Sequence, residues 1–241
     1  MEVINDLLGY DGLKIVQNPE MFSFSIDSMI LGYFATINKK TNKIIDLCTG
    51  NAPIPLYLTL RTKAHIVGVE IQKKVYELGL KSVKMNNKED CITLLNEDLK
   101  GISEKLNETF DLVTCNPPFF KYIESSNINK SEFKTIARHE VMVTLDECVF
   151  EASKLLNSKG YFAMVHRPDR LVEVLEVMKK YKIEPKRLQF VYPKIDSEPN
   201  HILIEGIKDG NPGLKVLKPL IVYENDKWSK DVLKIYNLKE E

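Results

Sequence analysis

Apolar runs rich in β-branched residues recur along the chain, separated by segments with a helical period. The runs "KIIDLC" (43–48), "AHIVGVEI" (64–71), "CITLLNED" (91–98), "FDLVTC" (110–115) and "GYFAMVH" (160–166) read as buried strands. Between them the pattern predicts helices over 54–61, 72–87, 145–156 and 168–181. Pro168 suits a first helical turn, and Pro53 and Pro55 belong at a helix start. This alternation predicts a mainly parallel sheet covered by helices on both faces. The last part of the chain changes style. "PKRLQFVYP" and "NHILIEGIKDG" are strand-like with no helix between them, and the turn-rich "DGNPG" follows, so an antiparallel pair is expected at the sheet's edge. The polar stretch Lys121–Lys134 has no clear period and reads as a loop. No internal repeat or linker divides the chain, so a single domain over 1–241 is expected.

Composition narrows the class. With 44% hydrophobic and 28% charged residues in 241, the chain can bury a core and is neither a disordered nor a membrane sequence. No apolar run approaches the roughly 18 residues that a bilayer span requires. The N-terminus "MEVINDLLGY" has no basic leader region and reads as neither signal nor transit peptide, which gives a cytoplasmic expectation with no membrane contact. Cys48, Cys91, Cys115 and Cys148 form no CxxC pair and no cluster at zinc spacing, so they are expected to be reduced, largely buried small hydrophobes, with no metal.

A formal net charge of zero argues against a protein that coats nucleic acid but leaves open a local basic face. One such stretch is "KKYKIEPKRLQFVYPK" (179–194), whose only acid is Glu184. Lys179, Lys180, Lys182, Lys186 and Arg187 are its candidates for phosphate contact; the plain alternative is a solvated helix end and a strand edge guarded by lysines.

The first buried strand runs into "DLCTGNAPIPL", a turn with Gly50 ahead of a helix, at the edge where α/β folds bind nucleotides. The next strand ends at Glu70, about two dozen residues after Asp46, near the spacing of a ribose-binding acid. Taken singly, Gly50 is as readily a turn glycine and Glu70 a surface carboxylate. The third strand ends in "NEDL", so Asp46, Glu70 and Asp98 would share one edge. Carboxylates accept hydrogen bonds from ammonium, hydroxyl and amine groups, and S-adenosylmethionine carries all three. A phosphate ligand is disfavoured, because the turn lacks both GxGxxG and P-loop patterns and a row of acids repels pyrophosphate.

The fourth strand ends in "DLVTCNPPFFKY", where Asn116, Pro117, Pro118 and Phe119 interrupt any regular element. The four suit transfer of a methyl group to a conjugated amine such as that of adenine. The Asn116 side-chain oxygen and the Pro117 carbonyl can accept two N–H bonds and stabilise charge developing on the nitrogen. The prolines stiffen the loop and add no competing donor. Phe119 offers a face for stacking of an extruded base. The plain alternative is a rigid structural turn.

These residues together resemble the class I S-adenosylmethionine-dependent methyltransferases with an Asn-Pro-Pro-aromatic motif. "QNPEMFSFSIDSMILGYFA" (17–35), "ARHE" (137–140), "VHRPDRL" (165–171) and "KRLQFVYP" (186–193) are similar to the bacterial tRNA(1)(Val) adenine-N(6) methyltransferase family. The resemblance implies a Rossmann-like α/β fold, a seven-stranded mostly parallel sheet with helices on both faces and an antiparallel C-terminal strand pair within 184–241, and an N-terminal segment, 1–35, that covers the cofactor. It implies cofactor contacts from Phe24, Asp27, Asp46, Thr49, Gly50, Asn51, Glu70, Ile71, Asp98, Leu99 and Asn116, with Glu70 on the ribose diol and Asp98 at the adenine. Catalysis falls to Asn116, Pro117, Pro118 and Phe119, and the implied partner is tRNA, methylated just 3′ of the anticodon, with no obligate protein partner. From the residues alone, Phe24 suits a core position and Asp27 a helix cap, and His139 and Glu140 suit a loop ion pair. The family's first loop reads Asp-Leu-Gly-x-Gly-x-Gly. Cys48 and Ala52 replace its outer glycines, and a Cβ held in the left-handed region costs on the order of 1 kcal/mol. The same site chemistry would serve a guanine amine in ribosomal RNA or a glutamine amide in protein, and a chain that had lost its cofactor would be an RNA-binding module.

Overall fold

The computed structural model describes residues 1–7, 12–19, 21, 26–119 and 142–236. Phe24, the expected loop 121–134, the ARHE string with His139 and Glu140, and the final five residues lie outside them.

An N-terminal hairpin pairs β1 (Val3–Asp6) with β2 (Lys14–Gln17). Then come α1 (Ile26–Phe34), β3 (Lys43–Leu47), α2 (Pro53–Leu58), β4 (His65–Val69), α3 (Lys73–Met85), β5 (Ile92–Leu95), α4 (Ile102–Leu106) and β6 (Phe110–Cys115). After the undescribed stretch follow α5 (Leu145–Leu155), β7 (Leu156–His166), a 3-10 turn at Pro168–Arg170, α6 (Leu171–Lys180), β8 (Ile183–Tyr192) and β9 (His201–Lys208). The tail adds β10 (Lys215–Val216), β11 (Leu220–Ile221), a small hairpin of β12 (Tyr223–Glu224) and β13 (Lys227–Trp228), and α7 (Lys230–Ile235).

The central sheet has the order β5-β4-β3-β6-β7-β9-β8, parallel from β5 to β7 and antiparallel at β9. These are the seven strands expected. Two differences appear. The antiparallel strand β9 is not an edge strand, because it inserts between β7 and β8. The sheet also reaches nine strands, since β10 and β11 both pair in parallel with the outer side of β8. A long edge strand leaves its backbone donors and acceptors open to pairing, and the tail covers them: Leu217 N donates to Leu188 O at 2.8 Å and Val222 N to Tyr192 O at 2.8 Å.

Alternate strand residues feed two cores. Ile44, Ile66 and Leu112 pack with α1, α2, α3 and α7 on one face, whereas Ile45, Leu47, Val67 and Val113 pack with α4, α5 and α6 on the other. The helix starts follow local chemistry. Pro53 occupies the first turn of α2, and α5 begins with a capping box in which the Thr144 side chain accepts from Glu147 N and the Glu147 carboxylate accepts from Thr144 N. No described helix is long and apolar enough to cross a membrane.

Candidate active site

Register fixes where the site lies. Leu47 pairs with Val69 and Cys115, Val69 with Leu95, and Cys115 with Met164, so four parallel strands end on one row. The turns leaving that row carry 48–52, 70–72, 96–99 and 116–119, and they enclose a cleft of about 320 Å³. Because β9 runs the opposite way, its first residue, His201, lands at the same edge and joins the wall.

Of the residues expected to contact a cofactor, Asp27, Thr49, Gly50, Asn51, Glu70, Ile71, Asp98, Leu99 and Asn116 all line this cleft. Asp46 does not. It is fully buried behind the wall, with Oδ1 accepting from Thr114 Oγ1 at 2.6 Å and Oδ2 lacking a hydrogen-bond partner. It lies inside the strand, two residues before the turn begins, and so supports the turn rather than reaching the cleft. Burial pushes its pKa up to about 7, against the hydrogen bond from Thr114.

The turn after β3 holds Cys48 at φ 58°, Gly50 at φ 60° and Ala52 at φ 71°, so both residues that replace expected glycines do adopt the left-handed conformation. A Cβ at Gly50 would meet no atom within 4 Å, so this position opens directly onto the cleft. Asn51 ties the turn to the N-terminal hairpin by donating from Nδ2 to Val16 O at 2.8 Å.

Glu70 is buried and holds two turns at once. Its Oε2 accepts from Gly50 N at 3.0 Å and its Oε1 from Gln72 N at 2.8 Å. Burial is the largest influence on it and lifts its pKa to about 7. Asn96 braces the same region by donating to the carbonyls of Glu70, at 2.8 Å, and Ile71, at 3.0 Å. Asp98 is half-exposed at the rim, with Oδ1 accepting from Lys100 N at 2.9 Å.

Asn116 lies where β6 meets the cleft, and its Nδ2 donates to Asp27 Oδ2 and to Ser28 Oγ, both at 3.2 Å. Asp27 is therefore an orienting partner of Asn116 as well as part of the wall. Pro117 is buried, and Phe119 is half-buried with its ring edge-on to His166, at 5.7 Å between centroids, and to His201, at 5.6 Å. Arg170 Nη1 donates to Phe119 O at 3.3 Å. His166 is fully buried and accepts from Arg167 N through Nδ1; burial, helped by the nearby Arg170 charge, brings its pKa down to about 4. The two histidines were not singled out from the sequence. His201 reaches the wall because β9, expected at the sheet's edge, is inserted beside β7, and His166 ends the parallel strand β7.

The basic stretch sits elsewhere. Ile183, which follows Lys182, pairs with Lys208, and Glu184 shares a row with Ile207 and Tyr161, at the sheet edge opposite the cleft. Lys179 and Lys182 are exposed, Lys180 Nζ contacts Asp146 Oδ1 at 2.6 Å, and Lys186 Nζ donates to Asn211 O at 3.2 Å. Arg187 differs most from the expected phosphate contact. Its Nη1 meets Glu205 Oε1 at 2.9 Å and Thr36 Oγ1 at 2.6 Å, its Nη2 meets Phe34 O at 3.2 Å, and its guanidinium lies 4.4 Å over the Phe34 ring. Glu205 is buried, so Arg187 neutralises an interior carboxylate.

A family model described as the methyltransferase small domain matches residues 12–187. The chain belongs to the methyltransferase small-domain family. Two curated relatives bear the name tRNA1(Val) (adenine(37)-N6)-methyltransferase. The protein from Porphyromonas gingivalis is 30% identical over 207 residues, covering 83% of this chain and 80% of its own. That from Flavobacterium psychrophilum is 27% identical over 222 residues, covering 92% and 86%. In fold, the methyltransferase matches the crystal structure of a predicted O-methyltransferase from Agrobacterium tumefaciens, with a TM-score of 0.70 at 18% identity over 88% of this chain and 96% of that one. It also matches geranyl diphosphate C-methyltransferase from Streptomyces coelicolor in complex with S-adenosyl-L-homocysteine, with a TM-score of 0.54 at 11% identity over 75% and 74%.

The cofactor of this methyltransferase is S-adenosyl-L-methionine, and the cleft fits it. Asn51 Oδ1 and Gln72 Oε1 belong to cleft-lining residues, are buried, and lack hydrogen-bond partners. Buried acceptors left unpaired are costly, and a ligand carrying ammonium and hydroxyl donors supplies what they lack.

Proposed function

We propose that this methyltransferase acts on the N6 amine of adenine 37 in tRNA1(Val). The reading rests on the name shared by relatives that align over most of its length, and on one geometric observation. Asn116 turns its amide nitrogen toward Asp27 and Ser28. A carboxylate accepts and cannot donate, so this pairing assigns nitrogen to that side and leaves Oδ1 for an amine in the cleft.

S-adenosylmethionine, when bound, supplies a methyl group on a positively charged sulfur. The chain does the rest. Glu70, Thr49, Gly50 and Asn51 would hold the cofactor, with Glu70 to accept from the ribose hydroxyls and Asp98 to meet the cofactor's adenine amine; Ile71 and Leu99 would line the apolar part. Asn116 Oδ1 and the Pro117 carbonyl would accept the two N–H bonds of the target amine and hold its nitrogen at the cleft. Positive charge that develops on that nitrogen would be stabilised by the same two oxygens. The proton then leaves the acidified methylated amine without a strong base. Phe119 stacks on the extruded base, a contact worth roughly 1–3 kcal/mol, and the two imidazoles against its ring keep it in place.

The reading includes one domain over 1–241, a cytoplasmic protein that meets tRNA there, and RNA contacts at Lys179 and Lys182 that fall on a part of the tRNA distant from the modified base. The test is incubation with labelled cofactor and separate tRNA, ribosome and release-factor fractions. Label in tRNA, located by nucleoside mass spectrometry as N6-methyladenosine at position 37, is the expected result. Label in ribosomes or release factors would replace the reading with a guanine or glutamine acceptor, and tRNA binding without label would make the protein an RNA-binding module.

A further inference from the structure

Three of the four cysteines, scattered in sequence, meet under the cleft. Cys48 leaves the end of β3, Cys115 ends the neighbouring strand β6, and Cys148 projects from the first turns of α5 laid over them. Their Sγ atoms lie within 4.8 Å of one another. Cys115 and Cys148 are fully buried, while Cys48 lines the cleft, so the cluster opens to solvent through one member. Cys91 stands apart, its Sγ donating to Lys88 O at 3.4 Å.

We propose that Cys48, Cys115 and Cys148 form a three-sulfur site for a thiophilic divalent cation of the zinc class. A metal–sulfur bond of about 2.3 Å requires sulfurs about 4 Å apart, which the cluster reaches with little movement. The ligands come from the turn that leaves β3, the end of its neighbour β6 and a packed helix, so their positions are set before any ion arrives. Thiolate ligands select soft ions over magnesium or calcium. Charge selects the valence. Three thiolates around a monovalent ion would leave two net negative charges in a nearly dry site, and around a divalent ion only one. Binding is a proton exchange without redox change: three S–H bonds release protons to solvent through the cleft, and three metal–sulfur bonds form. Cys48 lines the cleft, so water can reach the site from that side. The ion would pin the ends of β3 and β6 to α5, directly beneath the strained turn at Cys48. None of this depends on which amine accepts the methyl group.

The test titrates Cd2+ into the reduced, purified full chain and follows sulfur-to-cadmium charge-transfer absorbance. The expected result is a saturable band complete at about one equivalent, removed by Zn2+ competition. Cys48→Ser and Cys148→Val should each lose most of the band or weaken binding at least about tenfold, whereas Cys91→Ser should match the wild type. Cys48 is at a turn that reaches the cleft, so its variant tests the site if the core variant does not fold. As a second readout, Zn2+ should raise the unfolding temperature of the wild type and not that of Cys48→Ser. Absence of a band in folded wild-type protein, or a band that survives Cys48→Ser and is lost in Cys91→Ser, overturns the proposal.

Discussion

Asn116 donates its side-chain N–H to Asp27 Oδ2 across 3.2 Å, which links the end of the fourth parallel strand to the first turn of α1. The bond makes orientation of the catalytic amide depend on a residue 89 positions away in sequence. Asn116→Ala should lower turnover by about 10²- to 10³-fold, the scale of losing one positioned transition-state partner, with S-adenosylhomocysteine affinity changed only a few-fold. Asp27→Asn keeps size and removes the acceptor-only character, so the Asn116 amide can turn over. A kcat loss of about tenfold with a smaller change in cofactor binding is expected. Equal activity of both variants and the wild type would refute the assigned orientation.

Glu70 gives a pH signature. Its two oxygens accept from Gly50 N and Gln72 N, and burial lifts its pKa to about 7. Only the carboxylate form offers every remaining lone pair to a ribose diol, so cofactor affinity should fall as pH drops from about 8 to about 6. Glu70→Gln must turn an N–H against one of those two backbone donors. It should weaken S-adenosylhomocysteine by at least about tenfold and flatten the pH dependence, both read by calorimetry.

Much of this was legible in the sequence, for identifiable reasons. Apolar strands that run into an acid or an asparagine, such as those leading to Glu70 and Asn116, carry their own placement, because a parallel strand delivers its last residue to the cleft edge. The left-handed turn was legible because Cys48 and Ala52 stand where glycine is usual. What stayed hidden depends on pairing between distant segments. His201 reaches the cleft only because β9 is antiparallel and inserted beside β7, and the three thiols meet only because α5 crosses strand ends 33 and 100 residues earlier, intervals read from Cys48, Cys115 and Cys148. Arg187 looked like a surface cation for the same reason: its partner Glu205 is on another strand.

That partnership separates two roles for the basic stretch. Arg187→Ala leaves Glu205, which is 1% exposed, without its cation. Removing one partner of a fully buried pair costs about 3–5 kcal/mol, and because Arg187 is partly exposed the expected loss is about 2–3 kcal/mol by denaturant unfolding. The slope of tRNA affinity against salt should stay at the wild-type value. Lys179→Glu with Lys182→Glu should do the reverse, lowering that slope with little change in stability. A reduced salt slope in Arg187→Ala would instead make it an RNA contact.

Asp46 supplies the opposite kind of pH effect, on stability rather than binding. Its carboxyl is fully buried, receives one hydrogen bond from Thr114, and is pushed by burial from an ordinary 3.8 to about 7. Below the unfolded-state value both states are protonated and the group costs nothing. As pH rises toward about 7, the unfolded chain ionises while the folded one holds its proton, so stability falls and then levels off. Asn at this position keeps an oxygen for Thr114 and cannot ionise. Asp46→Asn should therefore unfold near the wild-type temperature at about pH 4 and several degrees higher at about pH 8, a gain on the order of a few kcal/mol. Thermal melts at the two pH values check it, and a gap of equal size at both would show that charge burial at Asp46 is not its source.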